Sequence, residues 1–261
     1  MQKTVECVMD IGEQLLISGA EVHRVEDTII RICKSFGATR VDIFGITSFM
    51  VVSVHMPDGA IYTETRRILS HNTDFLKLEQ LNQLSRRICA HEIPLSEIRH
   101  ELDLIDKSKK HSFWTECLMC AIVTAAFTPF FAAAAGAFTT FTSELIIQTV
   151  ISFFIGFGSR MVLKFSDKTV NNTFFSKFIA TFFVTGAAFL FLKLGVITKT
   201  DEIIIANIMT LIPGIALTNA IRDLFTGDSV AGIVRLLESA LVAISMAAGY
   251  FAFIFIGGII A

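Results

Sequence analysis

The chain has 261 residues, of which 53% are hydrophobic, and its mean hydropathy of +0.64 excludes an ordinary soluble globular protein. The formal net charge is −2 and no stretch forms a basic stripe, so we expect no nucleic-acid partner. The five cysteines are scattered and odd in number, which indicates reduced thiols rather than a disulfide framework.

Charged residues are concentrated in the first part of the chain. Residues 1–111 carry 14 of the 22 Lys and Arg, 16 of the 24 Asp and Glu, and all six His. Residues 112–261 carry 21 of the 25 Phe. The first residues, MQKTVECVMD, contain no hydrophobic signal-peptide core, so we expect this part to stay in the cytoplasm. We therefore predict a cytoplasmic domain over residues 1–111 and a membrane domain over residues 112–261.

An amphipathic helix is predicted over residues 18–36. Ser18 and Glu21 have the spacing of a capping box, apolar residues then recur at helical intervals, and Gly37 is a typical stop. The helix pattern leaves four polar residues near its start without a structural role, namely His23, Arg24, Glu26 and Asp27. They indicate either a solvated face or a ligand or interface contact. His23 and Asp27, four residues apart, are a candidate for a metal pair or a positioned base. Asp27 and Arg31 are also an i,i+4 pair.

The remainder of the first part predicts a small α+β domain. Residues 39–56 and 61–68 are rich in β-branched and aromatic residues, and the PDGA turn separates them. Residues 73–93 and 94–110 have helical patterns with a proline between them. The expected order is helix–helix–sheet–helix–helix, followed by Trp114 as an interfacial anchor.

The second part contains five apolar segments long enough to cross a bilayer. Nine Lys or Arg flank their proposed inner ends and only two flank the outer ends, which places the N-terminus in the cytoplasm and the C-terminus outside. We thus predict an α-helical polytopic membrane protein with five transmembrane helices and an N-terminal cytoplasmic α+β domain. The expected spans are residues 117–138, 144–163, 174–194, 203–221 and 235–260.

The fourth span carries Pro213-Gly214 near its middle, which predicts a broken helix. A break at membrane depth exposes backbone groups that can hold a substrate or ion; a kink that only shapes packing is the alternative. Charged residues follow at the membrane boundary, where a solvated loop is the alternative. Residues 112–261 contain no His, so proton coupling would fall to Glu144 or Glu238. The candidate translocation residues are Glu144, Asn207, Pro213, Gly214, Asn219, Arg222, Asp223, Asp228, Arg235 and Glu238.

Three segments together resemble the bacterial threonine/serine exporter family: SGAEVHRVEDTIIRIC, VDIFGITSFMVVSV and LIPGIALTNAIRDLFTGDSVAGIVRLLE. The chain resembles the larger subunit of the split branch, whose members work with a separate small membrane protein. In this chain the resemblance marks a first block and a second block of residues. The first block comprises Ser18, Gly19, Glu21, His23, Arg24 and Glu26, to which we add Asp27. The second comprises Pro213, Gly214, Arg222, Asp223, Gly227, Asp228, Gly232 and Arg235.

The resemblance implies an inner-membrane secondary exporter component for threonine and serine, without cofactor or resident metal. Its expected partners are the small-molecule substrate, the lipid bilayer, and a small membrane subunit or further copies of the chain. An exporter subunit for dicarboxylates such as succinate is the alternative that the split branch leaves open. A membrane-anchored hydrolase using His23 and Asp27, or a structural scaffold, are the alternatives from other classes; no nucleophile elbow or phosphate loop supports an enzyme.

Overall fold

A computed structural model of the protein describes residues 1–69, 72–90, 93–107, 112–134, 143–170 and 172–260. The chain forms two compact units, and each unit consists of two separate segments of the sequence. The first unit contains Met1–Lys109 together with Ile215–Leu237. The second contains Lys110–Gly214 together with Glu238–Ala261.

The first unit begins with helices α1, Gln2–Ile17, and α2, Val22–Ser35. The predicted capping box is wrong, because Ser18 ends α1 instead of starting α2. Gly19 has φ +96°, and the amides of Gly19 and Ala20 donate to the carbonyls of Leu16 and Leu15, which is a Schellman motif. Glu21 then occupies the N-cap of α2.

Three antiparallel strands follow in the order β1-β2-β3. They are β1, Arg40–Ile46, β2, Phe49–His55, and β3, Ile61–Arg67. In the central strand β2, Met50 pairs with Gly45 of β1, and Val52 pairs with Glu64 of β3. Its alternate side chains Met50, Val52 and Val54 are buried, so one face of the sheet joins the core, and the strand prediction is confirmed.

Helices α3, Phe75–Ala90, and α4, Leu95–Asp106, complete the predicted helix–helix–sheet–helix–helix order. Buried aliphatic side chains of α1, α2, α3, α4 and β2 form one core. Ala231 also belongs to this core, although it follows α4 by more than 120 residues. The segment Ile215–Leu237 is therefore structurally part of the first unit.

The second unit is helical over its described residues. It contains α5, Phe113–Ala134, α6, Ser143–Val170, α7, Thr173–Lys193, and α8, Asp201–Met209. Helices α9, Gly214–Thr226, and α10, Ser229–Ile260, each begin at or near the boundary between units. Helices α5, α6, α7 and α10 are long and apolar enough to cross a membrane, and α8 with α9 would make a fifth, broken span.

The predicted interruption of the fourth span is confirmed, since α8 ends at Met209 and α9 begins at Gly214. The other span helices run past several predicted ends: α6 continues to Val170 and α10 starts at Ser229. Hydropathy marks only the apolar stretch of a helix, whereas the backbone hydrogen bonds continue through the polar turns that flank it.

Close helix packing in the second unit depends on glycine. At Gly249 a Cβ atom would lie 2.4 Å from the carbonyl oxygen of Phe178, and at Gly156 it would lie 2.1 Å from Oγ1 of Thr124. Small residues of this kind let membrane helices approach until their backbones are in contact.

Candidate functional site

The two motif blocks meet in the first unit, although about 200 residues separate them. The guanidinium of Arg222 donates a hydrogen bond to the carboxylate of Glu21. The amide Nδ2 of Asn219 donates to the carbonyl oxygen of Gly19 at 3.1 Å. Both contacts join the α1–α2 connection to α9, the helix that follows the break.

A buried ion pair lies beside this contact. Nη1 of Arg235 on α10 is 3.2 Å from Oδ2 of Asp223 on α9, and the two side chains are only 9% and 1% exposed. Glu238 lies three residues after Arg235 on α10, a spacing that places both on one helix face, but the ionic partner of Arg235 in the first unit is Asp223. This buried pair connects α9 to the start of α10. Removing either charge would leave the other buried without compensation, which is strongly destabilising.

A third group combines His23, Glu26 and Asp228. Nδ1 of His23 lies 3.9 Å from Oδ2 of Asp228, and one potential ligand atom from each residue lies within 4.8 Å of the others. An imidazole and two carboxylates are donor types that divalent transition metals accept. Asp27 is not part of the group, since it forms the predicted i,i+4 pair with Arg31, at 2.8 Å.

Glu26 is positioned by strand β1. Its Oε1 accepts a hydrogen bond from the amide of Gly45 at 2.6 Å. A Cβ at residue 45 would lie 3.3 Å from that oxygen and 3.1 Å from Val22, which explains a glycine within a strand. Burial raises the pKa of Glu26 above its ordinary value, the Gly45 amide opposes this shift, and the neighbouring Asp228 carboxylate adds to it.

A cavity of about 160 Å³ opens against the same α1–α2 connection. Three helices contribute residues at helical spacing, so each presents one face to it. Its polar lining residues are Glu21, Arg24, Thr28, Asn82 and Asn219, and its other lining residues are Leu15, Gly19, Ala20, Val25, Phe75, Leu78 and Ile215. Thr28 and Asn82 were missed by the sequence analysis, because nothing in the spacing of either residue distinguishes it from an ordinary helix surface residue.

In the second unit a lysine side chain contacts the backbone at the helix break. The ammonium Nζ of Lys177 on α7 donates to the carbonyl oxygen of Leu211 at 2.9 Å. Leu211 lies in the break, where the helical hydrogen bonds are interrupted. Lys177 is one of the nine positive charges near the proposed inner ends of the spans. It is also the fourth residue of the predicted third span, and a charge inside an apolar segment was the signal that could have identified it.

Asn207 is fully buried on α8. Its Nδ2 donates to Oγ of Ser152 and to the carbonyl oxygen of Ile203, both at 2.9 Å. These bonds tie α8 to α6 immediately before the break. Asn207 therefore has a clear packing role within the second unit.

The two proposed coupling carboxylates have different surroundings. Glu144 accepts hydrogen bonds from the backbone amide of Thr198, at 3.1 Å, and from its hydroxyl, whereas Glu238 is exposed. A carboxylate that the sequence analysis missed, Glu202 in the first turn of α8, is only 8% exposed. Acidic residues are common in a first helical turn, which is why its position attracted no attention.

The ten candidate translocation residues thus divide between the units. Asn219, Arg222, Asp223, Asp228 and Arg235 belong to the first unit and lie near the N-terminal motif, whereas Glu144, Asn207, Pro213, Gly214 and Glu238 belong to the second. In the first unit the structure brings together Glu21 with Arg222, and His23 and Glu26 with Asp228.

Comparison with known proteins gives one family. Residues 6–256 match the family model of the threonine/serine exporters, ThrE. The chain is 26% identical over 250 residues to the threonine/serine exporter of Corynebacterium glutamicum, and the match covers 92% of this chain and 48% of that protein. The chain therefore spans about half the length of the curated relative it matches. No solved structure matches it.

The family match extends over nearly all of both units, and the family is one of transporters, not enzymes. The apolar helices of the second unit fit a multi-pass membrane protein of that kind. The chain belongs to the threonine/serine exporter family.

Proposed function

We propose that this chain is a component of an inner-membrane secondary exporter that moves threonine and serine out of the cell, together with a separate small membrane subunit. The contact between the two motif blocks at Glu21–Arg222, together with the neighbouring Gly19–Asn219 hydrogen bond, carries this proposal. These contacts tie the α1–α2 connection to α9, which runs without interruption from the break at Gly214 to Thr226. Residues 1–109 then act as part of the transport machinery.

The break supplies the element that moves in this proposal. Interrupted helices in transporters leave backbone groups free to bind substrates or ions, and here Lys177 occupies the freed carbonyl of Leu211. Helix α9 continues without interruption from Gly214 to Thr226, so we propose that it couples its contacts with Gly19 and Glu21 to the break. We propose that this coupling opens and closes the path on the cytoplasmic side, with the N-terminus in the cytoplasm and the C-terminus outside.

Efflux from preloaded cells tests the proposal. Cells that lack both proteins are loaded with radiolabelled threonine or succinate, and efflux is followed with this chain, the small membrane subunit, both, or neither. Threonine efflux that requires both chains is the expected result. Succinate efflux under the same condition would support the dicarboxylate alternative, and threonine efflux from this chain alone would contradict the need for a partner. Efflux of neither compound under any condition would contradict the proposed function.

A further inference from the structure

The cavity against the α1–α2 connection has the size and the mixed lining of a site for a small amphiphilic solute. Its volume of about 160 Å³ is roughly ten times the 10–15 Å³ that one water molecule needs. Apolar side chains such as Val25, Leu78 and Ile215 form part of the wall, and amide and hydroxyl groups form another part. Ligand sites commonly combine an apolar wall with a few convergent polar groups in this way.

Positive potential is available to a carboxylate at one side of the cavity. Arg24 lines it, and in the described part of the chain its guanidinium forms no ion pair. Arg24 lies in the first turn of α2, whose N-cap residue makes no side-chain hydrogen bond to that turn. The backbone amide of Val22, the first of α2, already donates a hydrogen bond to the Asp223 carboxylate. The positive charge left for a further anion therefore comes from Arg24 and from the following amides of that turn, which carry partial positive charge.

Negative potential comes from Glu21, which also lines the cavity. Its side chain is only 13% exposed, and one carboxylate oxygen, Oε1, accepts the hydrogen bond from Arg222. Within the described residues no hydrogen bond reaches the second oxygen, which leaves an acceptor for an ammonium group. The lining thus offers one cation and one anion.

We infer that this cavity binds an α-amino acid as a zwitterion, with Arg24 and the first turn of α2 contacting its carboxylate and Glu21 contacting its ammonium group. The inference rests on the proposed export function and deepens it, since it selects the amino acid over the dicarboxylate. A dicarboxylate would place its second negative charge against Glu21, and like charges in a partly enclosed site repel each other strongly.

Binding to the purified full-length chain in lipid nanodiscs tests this inference. Saturable binding of radiolabelled threonine is measured by equilibrium dialysis, with unlabelled serine and succinate as competitors. Serine should compete and succinate should not. Arg24→Gln should weaken threonine binding by at least about tenfold, since a charge-assisted hydrogen bond is lost, and Arg24→Lys should restore part of the affinity.

Arg31→Gln is the matched control, because Arg31 lies two turns further along α2, is exposed, and pairs with Asp27. It should leave binding unchanged. Absence of saturable threonine binding by the unsubstituted chain, equal binding by Arg24→Gln and Arg31→Gln, or competition by succinate as strong as that by serine would each overturn the inference. Efflux separates this result from the proposed function. If threonine efflux needs this chain but is insensitive to Arg24→Gln, the exporter proposal stands and the cavity assignment fails. If Arg24-dependent binding is found without efflux, the reverse holds.

Discussion

Replacing Arg235 by methionine should destabilise the first unit strongly. The substitution removes the cation but keeps a long side chain, and it leaves the Asp223 carboxylate without its partner in a position that is only 1% exposed. Breaking a buried ion pair by removing one partner costs about 3–5 kcal/mol. For a protein of this size each kcal/mol lowers the unfolding midpoint by about 2–4 °C, so we expect a fall of roughly 6–20 °C.

The buried thiols of the first unit provide the assay. Burial raises the pKa of Cys7 to about 11 and that of Cys33 to about 12, so neither thiol reacts while the unit is folded. In purified full-length protein with Cys89→Ser, Cys117→Ala and Cys120→Ala, labelling by a thiol-reactive dye during heating reports exposure of these two residues. The midpoint of labelling is compared between Arg235→Met and the parent protein.

Two further variants decide the interpretation. Arg31→Met removes an exposed ion pair with Asp27 and should cost no more than about 1 kcal/mol. Asp223→Asn combined with Arg235→Met removes both charges of the buried pair and should recover much of the lost stability. The reasoning is refuted if Arg235→Met is no more harmful than Arg31→Met, or if the double variant is less stable than Arg235→Met alone.

Three other predictions follow from individual contacts. Arg222→Glu should abolish threonine efflux, and the added change Glu21→Arg should restore part of it by reversing the ion pair. Because the pair is partly exposed, its contribution to stability should stay at about 0.2–1 kcal/mol. No recovery of efflux in the double variant would argue against a role of the Glu21–Arg222 pair in transport. Glu26→Gln should flatten the pH dependence of stability, because the raised pKa of Glu26 favours its neutral form in the folded state. The parent protein should therefore lose stability as the pH rises from below 4.5, the ordinary pKa, through the raised pKa. The same pH dependence of the thiol-exposure midpoint in the variant and the parent protein would contradict this. Gly249→Ala should cost about 1–3 kcal/mol, because its Cβ would lie 2.4 Å from a backbone carbonyl oxygen, whereas Gly257→Ala, with its nearest atom at 3.8 Å, should be tolerated. Equal midpoints for the two variants, with thermal unfolding followed by helical circular dichroism, would exclude the close contact.

Several features of this protein were determined by local sequence. The strands on either side of the PDGA turn, the order of the helices and strands in residues 1–106, and the interruption at Pro213-Gly214 were all predicted and are present. The i,i+4 pair of Asp27 and Arg31 was predicted as well. Each depends on a period of 2 or 3.6 residues or on the missing donor of proline, and these properties act within a few residues of chain.

Other features depend on neighbours that the local pattern does not contain. Ser18 satisfied the capping pattern for α2, but the residues before it are already helical. Ser18 is therefore the C-cap of α1, and Gly19, with its positive φ, ends that helix. The partner of Arg235 is 12 residues away and reaches it only because α9 and α10 fold back on each other. A spacing rule relates residues within one helix and carries no information about a residue on a second helix.

The candidate site was decided by tertiary structure. The sequence identified Glu21 and Arg222 separately, 201 residues apart, and assigned them to different domains. Their contact exists because Ile215–Leu237 folds with the N-terminal residues, and the cavity beside them needs faces from three helices at once. Hydropathy and helical periodicity determine which residues are buried or helical, whereas only the packed fold determines which polar residues meet.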